Sequence, residues 1–385
     1  MNKETDFKLK LIFPCRLETT KFHTIVSPFF LPYGMGILTA FLRKNNYYVE
    51  QEDLSVRFNG NSSPQSIDLE LDSNLEEMLR FLKSGEIEGK LSLSADSILA
   101  SISIKGFDII GLSVFSIHHF IFALMLSKKI KQKINIPIVF GGPFINAYGQ
   151  LFPEAFRIID YMVIGDGRVP LQELIRFLKN KIKITEVPSL VYKENGQLRF
   201  NPIKHYWLEE IPSPDYGGLP LNLYKNYRFQ DIIYPYQITS GCTSACSFCV
   251  YRHVNKKLEF KSYEKIINDL HQMNEQYDSN MFYFCDDAIN NSYEYLEGLC
   301  NLFIRHKVNM RWGVYAKIDN LDKHLLRKMS EAGCHLLIFG IESGSDKVLK
   351  MMNKSFTSER ASAIFKEAFE AGIKTDALFI AGYPY

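Results

Sequence analysis

The chain has 385 residues, 46% hydrophobic and 14% aromatic, with a formal net charge of +2; that is enough apolar material for two packed domains. No Lys/Arg block stands out, so nothing argues for nucleic acid as a general partner, and folded RNA stays open only as a substrate. Seven cysteines, four of them scattered (Cys15, Cys285, Cys300, Cys334), are not the dense, even framework of a secreted scaffold and point to a reducing cytoplasm.

In chain order, the polar and acidic start is no signal peptide. An apolar strand is predicted at 9–13, a helix at 31–44 and a second strand at 48–54. Strands follow at 109–115, 136–140 and 161–164. This alternation predicts a parallel, doubly wound sheet with its ligand site beyond the carboxyl ends of the strands. The stretch 109–126 is nearly long enough to cross a bilayer. His118 and His119 in its middle would be costly in hydrocarbon, so a strand, a loop and a helix explain it better and no membrane is expected. Both histidines are read as satisfied structural residues, and Cys15 as a buried free thiol.

Residues 59–102 form an insertion with helical periodicity at 75–82 and 93–102. The segment 181–226 reads as a connector, with 189–192 and 198–200 flanking a hairpin turn at Glu194-Asn195-Gly196 before a Pro-rich stretch. From 227 a second series begins: strands at 232–238, 281–284, 311–316, 336–341 and 375–380 alternate with helices at 264–277, 293–306, 323–332 and 358–371. Polar or glycine-containing sequence closes each strand, as in a barrel whose ligand loops gather on one face.

After the strand at 232–238 comes Gly241-Cys242-Thr243-Ser244-Ala245-Cys246-Ser247-Phe248-Cys249. Three close thiolates on one loop indicate a metal. A cubane of four irons normally takes four cysteines, so three protein ligands leave one iron open to an exogenous molecule. The competing reading adds His253 to the trio as a structural zinc site; the spacings are tight for such a finger, and the context of strand, loop and helix is not that of a small autonomous module.

The C-x-x-x-C-x-x-C spacing, with the aromatic Phe248 just before the last cysteine, resembles the signature of the radical SAM superfamily. The resemblance implies a [4Fe-4S] cluster on Cys242, Cys246 and Cys249, with the open iron chelated by S-adenosylmethionine (SAM). The reduced cluster would then cleave SAM to methionine and a 5'-deoxyadenosyl radical, the cofactor carrying the hard step. Phe284-Cys285-Asp286-Asp287-Ala288 and Phe339-Gly340-Ile341-Glu342-Ser343-Gly344-Ser345 resemble segments of the branch that carries an N-terminal cobalamin-binding domain. By that resemblance Phe248 packs near the adenine, Asp286 or Asp287 helps hold the SAM amino group, and Glu342 with Ser343 lies near its amino-acid or ribose part. Lys317 stands where a basic residue would face the SAM carboxylate.

The first series resembles the cobalamin domain of the same branch. The carrying residues are Leu31-Pro32-Tyr33-Gly34-Met35-Gly36, the run Gly111 to Ser116 including Ser113, Gly141-Gly142-Pro143 and Gly165-Asp166-Gly167. Glycines at strand ends let the backbone approach a large planar ligand. Ser113, Ser116, Gly141, Gly142, Pro143, Gly165, Asp166 and Gly167 are the implied cobalamin-binding residues. No D-x-H-x-x-G motif is present, so no histidine ligand to cobalt is expected from it.

The fold expected is therefore α/β: a Rossmann-like doubly wound parallel sheet over 1–180, a connector over 181–226 and an incomplete (β/α)6 radical SAM partial TIM barrel over 227–385. The last residues, Ala381-Gly382-Tyr383-Pro384-Tyr385, look like the start of the family's Gly-x-Pro-Gly-Glu loop bordering the adenine, which places Gly382 at SAM and leaves the last barrel strand absent. The activity implied is methylation of an unactivated carbon or phosphorus centre, on a small-molecule or peptide substrate, with a low-potential flavodoxin or ferredoxin as electron donor. The alternatives are a ring-forming or ring-contracting radical enzyme on the same scaffold, or a non-catalytic remnant or subunit.

Overall fold

The computed structural model of the chain describes residues 7–16, 30–58, 71–225, 231–250 and 257–384. The first part of the predicted insertion and His253 of the zinc alternative lie outside them. Contacts divide the chain into two compact units. One runs to Tyr206 and includes a return segment from Pro214; the other comprises Trp207–Ser213 and the chain from Asp231 onward.

The first unit is built on a seven-stranded sheet. Its strands are β1 (Lys8–Phe13), β2 (Tyr48–Asp53), β3 (Ile109–Ser113), β4 (Ile138–Gly141), β5 (Tyr161–Val163), β6 (Leu190–Glu194) and β7 (Gln197–Phe200), in the order β2-β1-β3-β4-β5-β6-β7. The first five are parallel, and β6 and β7 pair antiparallel. β1 therefore lies between β2 and β3, and the winding reverses there. In open α/β sheets the crevice beyond the carboxyl ends at such a reversal is where ligands bind.

The hairpin predicted inside the connector forms, but it extends this sheet beyond β5 rather than bridging two domains. Residues 181–206 thus belong to the first unit, and the expected connector of 181–226 shrinks to the short crossing segments after Tyr206.

Helices α1 (Tyr33–Lys44), α2 (Leu54–Phe58), α3 (Leu71–Ser84), α4 (Lys90–Ala100), α5 (Ile117–Lys133), α6 (Pro143–Tyr148) and α7 (Arg168–Leu178) connect and cover the strands. α5 is the helix whose sequence approaches membrane hydrophobicity. It is buried from His119 through Ser127, because α3 and α4 pack over it. An interior helix has no water-facing stripe to keep polar. Among the described residues no helix is long and apolar enough to cross a membrane.

The second unit carries a five-stranded, wholly parallel sheet of β8 (Tyr234–Tyr236), β11 (Met281–Phe284), β12 (Arg311–Ala316), β13 (Cys334–Glu342) and β14 (Lys374–Phe379), each strand beside its predecessor. A two-stranded ribbon of β9 (Thr239–Ser240) and β10 (Glu259–Phe260) brackets the cysteine loop. Helices α8 (Tyr263–Tyr277), α9 (Tyr293–Arg305), α10 (Lys323–Glu331) and α12 (Ser358–Glu370) return the chain between strands, and Ser262, Ser292, Asp322 and Thr357 each cap one of them through the side chain. A short α11 (Asp346–Met351), not anticipated from sequence, lies in the loop after β13. Trp312, fully buried, stacks on Phe284 at 5.1 Å and donates to the Ala332 carbonyl at 2.8 Å, centring the core.

Candidate functional site

The carboxyl edge of the second sheet presents the cysteine loop. Gly241 opens it at φ 87°, and a β-carbon there would stand 2.4 Å from the Lys257 carbonyl oxygen, so glycine is required. The residues ahead of Cys242 are fastened by the segment that follows β11. Oδ1 of Asp286 accepts from the amides of Ile238, at 3.1 Å, and Thr239. Oδ2 of Asp287 accepts from the Gly241 amide at 2.9 Å. Asn291 donates to the Gly241 carbonyl at 2.8 Å and accepts from the Thr243 amide at 3.1 Å. Asn290 bonds the backbone of Lys317, and Nζ of Lys317 donates to Oγ1 of Thr243 at 2.6 Å, one residue from Cys242.

The far half of the loop is fastened from another direction. The Ser247 amide donates to the Met352 carbonyl at 3.0 Å, and Nδ2 of Asn353 donates to the Ala245 carbonyl at 2.8 Å. Cys246 and Cys249 are joined by a backbone turn of 3.2 Å. Next to them Lys354 donates to the Gly340 carbonyl at 2.8 Å, lies 3.4 Å from Oε1 of Glu342, and stands 5.5 Å over the ring of Phe248. Tyr383 meets Phe248 edge-on and bonds Ser247 Oγ at 2.8 Å. Glu342 sits at φ 66°, a left-handed conformation rare for a side-chain-bearing residue, and its carbonyl accepts from the Ile380 amide.

These contacts gather Cys242, Cys246, Cys249, Phe248, Asp287, Lys317 and Glu342 around the cysteine loop. Ser343 is present but accepts from the Ser345 amide within its own loop. Gly382 lies open at φ 74°, with nothing within 4 Å of where a side chain would start. Asp286 is corrected: it is 1% exposed and grips the backbone beneath the loop, so it is not turned toward a SAM amino group. Sequence reasoning missed Lys354, Asn290 and Asn291. The two asparagines stand directly after the acidic pair in Asp286-Asp287-Ala288-Ile289-Asn290-Asn291 and had a local signal; Lys354 had none.

Burial raises the Cys246 thiol above its ordinary range, Lys354 opposes that, and Cys249 and Cys242 add to it, so the three sulfurs sense one another. Among the described residues no three His, Cys, Asp or Glu side chains converge on one point as ligands of a single ion. A cubane asks for a different arrangement, one thiolate on each of three irons, and three thiols on one fastened loop fit it in number and chemistry.

In the first unit the ends of β3, β4 and β5 carry the other predicted residues. Gly142, at φ 103°, passes so close to Val114 that a β-carbon would stand 2.7 Å from its carbonyl oxygen. The Gly165 amide donates to Oδ1 of Asn146 at 2.7 Å. The Asp166 side chain pairs with the buried Arg168, with Nη2 at 2.7 Å from its Oδ2. Ser116 caps no amide through its side chain; its Oγ pairs with Nδ1 of His119 at 2.8 Å. Ser113 and Gly141 are half-buried and Gly167 likewise, while Pro143 is exposed at the start of α6. Exposed Phe115, Ile117 and Tyr148 add an apolar rim; of these the sequence had placed only Phe115 in a regular element.

His119 is buried and lies edge-on to Phe13 at 5.1 Å. Burial, then the charges of Arg16 and His118, push it down to about 3. A base held neutral in the fold contributes stability that is complete above its unfolded pKa of about 6.5 and is lost as pH falls below it. Between pH 7.5 and 5 this group is expected to remove about 2 kcal/mol, and urea unfolding of His119→Gln is expected to lack that increment. Asp53, pushed up to about 6 by burial, acts with the opposite sign, so the measurement is the difference between variant and parent.

Comparison with known proteins places these features. Residues 236–385 match the model of the radical SAM superfamily. An uncharacterised methyltransferase of Pyrococcus horikoshii is 27% identical over 263 residues, covering 67% of this chain and 56% of the relative. The cytidylyl-2-hydroxyethylphosphonate methyltransferase of Streptomyces wedmorensis is 24% identical over 398 residues, covering 92% of this chain and 69% of the relative. Among solved structures, the cobalamin-dependent SAM radical enzyme OxsB with aqua-cobalamin bound superposes with a TM-score of 0.69 at 19% identity, over 98% of this chain and 50% of that one. The chain thus spans little more than half the length of some of the proteins it matches. With its cysteine loop at the carboxyl edge of a parallel β/α sheet and a doubly wound unit preceding it in sequence, the chain carries a radical SAM domain over residues 236–385 and has the fold seen in the cobalamin-dependent SAM radical enzyme OxsB.

Proposed function

We propose that this chain acts as a cobalamin-dependent radical SAM methyltransferase on an unactivated carbon or phosphorus centre of a small molecule. The observation that carries the proposal is the three-cysteine loop, fastened at both ends and flanked by Phe248, Glu342 and Lys354. The names of the two methyltransferase relatives support the reaction class. When bound, a four-iron cluster supplies the electron that cleaves SAM and cobalamin supplies a methyl carrier. The chain's own residues then do the positioning. Cys242, Cys246 and Cys249 hold the cluster. Lys354 and Glu342 offer one positive and one negative group, the complement of an amino acid's carboxylate and ammonium. Phe248 gives an apolar, half-exposed ring for the adenine side.

In the first unit, Gly165 is open just after β5, with nothing within 4 Å of where a side chain would start, and the rim of Phe115, Ile117 and Tyr148 suits the face of a corrin. Cys15 is buried, its thiol donating to the Leu54 carbonyl at 3.3 Å, which leaves it no part in this site. A low-potential flavodoxin or ferredoxin and a reducing cytoplasm complete the proposal, since an oxidised loop would not ligate iron.

The test is anaerobic reconstitution with iron, sulfide and cobalamin, followed by SAM labelled in its methyl group and a strong reductant. Both 5'-deoxyadenosine and S-adenosylhomocysteine are expected. Release of 5'-deoxyadenosine alone favours the ring-forming alternative, and a protein that binds no iron refutes the whole assignment.

A further inference from the structure

Below the cysteine loop lies a charged cluster that the proposed chemistry does not use. Lys261 follows β10, and its side chain is wholly buried. Its Nζ stands 4.1 Å over the ring of Tyr236 and 3.6 Å from Oδ2 of Asp269, and it has no hydrogen-bond partner among the described residues. Asp269 is already well supplied. Its Oδ1 accepts from Ser213 Oγ at 2.8 Å and Lys265 Nζ at 2.6 Å, and its Oδ2 accepts from the Tyr236 hydroxyl at 2.7 Å. Asp286, by contrast, uses only Oδ1; its buried Oδ2 has no partner among the described residues.

A buried carboxylate with one oxygen unsatisfied is costly unless a positive charge is near. Burial pushes the Asp286 carboxyl up to about 7; hydrogen bonds from Thr239 and Ile238 oppose this most, and the positive charge of Lys261 adds to them. The Lys261 ammonium is itself pushed down to about 8 by burial and held up by Asp269 and Asp286. The backbone joins the two as well: the Lys261 amide donates to the Ile238 carbonyl at 3.0 Å, while Asp286 accepts from the Ile238 amide at 3.1 Å. Both peptide groups of Ile238 are thus gripped, four residues before the first cysteine.

We propose that Lys261 is a positioning residue for the iron-binding loop: its buried ammonium is the countercharge that keeps Asp286 fastened to the amides of Ile238 and Thr239, and so fixes where Cys242 begins. This rests on the three cysteines holding a cluster, and its test separates the two claims. Hydrogen exchange of the metal-free protein is followed on the peptide spanning 236–243, with β12 as an internal reference. Lys261→Met is expected to speed exchange at Ile238 and Thr239 at least about tenfold more than at β12, because losing one partner of a buried charge pair is destabilising and the loss falls first on the amides that Asp286 holds.

Lys261→Arg is expected to restore protection. Asp286→Ala, which removes the acceptor of both amides, is expected to reproduce the loss, and the double variant to be no worse than either single one. After reconstitution, Lys261→Met is expected to lose iron to a chelator faster than the parent and to show a larger three-iron signal by electron paramagnetic resonance. Parental exchange in Lys261→Met overturns the proposal, as does uniform loss of protection across the whole unit. If Lys261→Met does not fold, parental exchange in Asp286→Ala overturns it instead. A parent that binds no iron, with the exchange pattern intact, leaves the latch standing and refutes the cluster.

Discussion

Alanine at Cys246 is expected to abolish the chelatable iron of the reconstituted protein and, with it, all measurable 5'-deoxyadenosine, a fall of at least about a thousandfold. The reason lies in ligand count. A cubane normally held by four cysteines already has one fewer here, and a second loss leaves two thiolates on a loop whose position they do not themselves determine. Asp287, Asn291 and Asn353 hold the loop by its backbone, so Cys246→Ala is expected to keep the parent's fold by circular dichroism and its melting temperature within a few degrees. Parental iron content in Cys246→Ala would refute the assignment of this cysteine.

Methionine at Lys354 is expected to leave the cluster in place and weaken SAM binding by about 10- to 150-fold, the equivalent of about 1.5–3 kcal/mol for a charge-assisted bond. Lys354 is nearly buried between Glu342 and the Gly340 carbonyl, with Phe248 beneath it. Without it the pocket presents an uncompensated carboxylate to the carboxylate of the ligand. Equilibrium binding to unreduced, reconstituted protein measures this without turnover, and Lys354→Arg is expected to recover most of the affinity. An unchanged dissociation constant would reduce Lys354 to a prop for the loop after β13.

Much of this was legible in the chain. The bounds of β11 and β12 follow from apolar runs punctuated by polar ends, and the cysteine spacing names its chemistry directly. Asp286 shows where the reading stopped short, and the strand period explains the error. Phe282 and Phe284 are buried on one face of β11, Tyr283 and Cys285 half-buried on the other, so alternation carries Asp286 to the packed side and Asp287 to the mouth. Lys354 lies twelve positions beyond Glu342, and only the turn made by α11 returns it to the same place. The β6–β7 hairpin was read as a connector because nothing local says that β6 pairs with β5 across α7.

The fastenings of the cysteine loop are widely separated along the chain. Those at its entrance come from 46 to 74 positions downstream, and those at its exit from 105 to 136. During synthesis, at about 5–20 residues per second, the thiols emerge well before the groups that arrange them, and a loop awaiting such distant contacts forms only after most of the sheet has closed. For some seconds the nascent protein therefore offers three loose sulfhydryls rather than a ligand set. Loading of iron would then wait on the scaffold's completion, and a ribosome stall before Asn353 would leave thiols open to adventitious metal or oxidation.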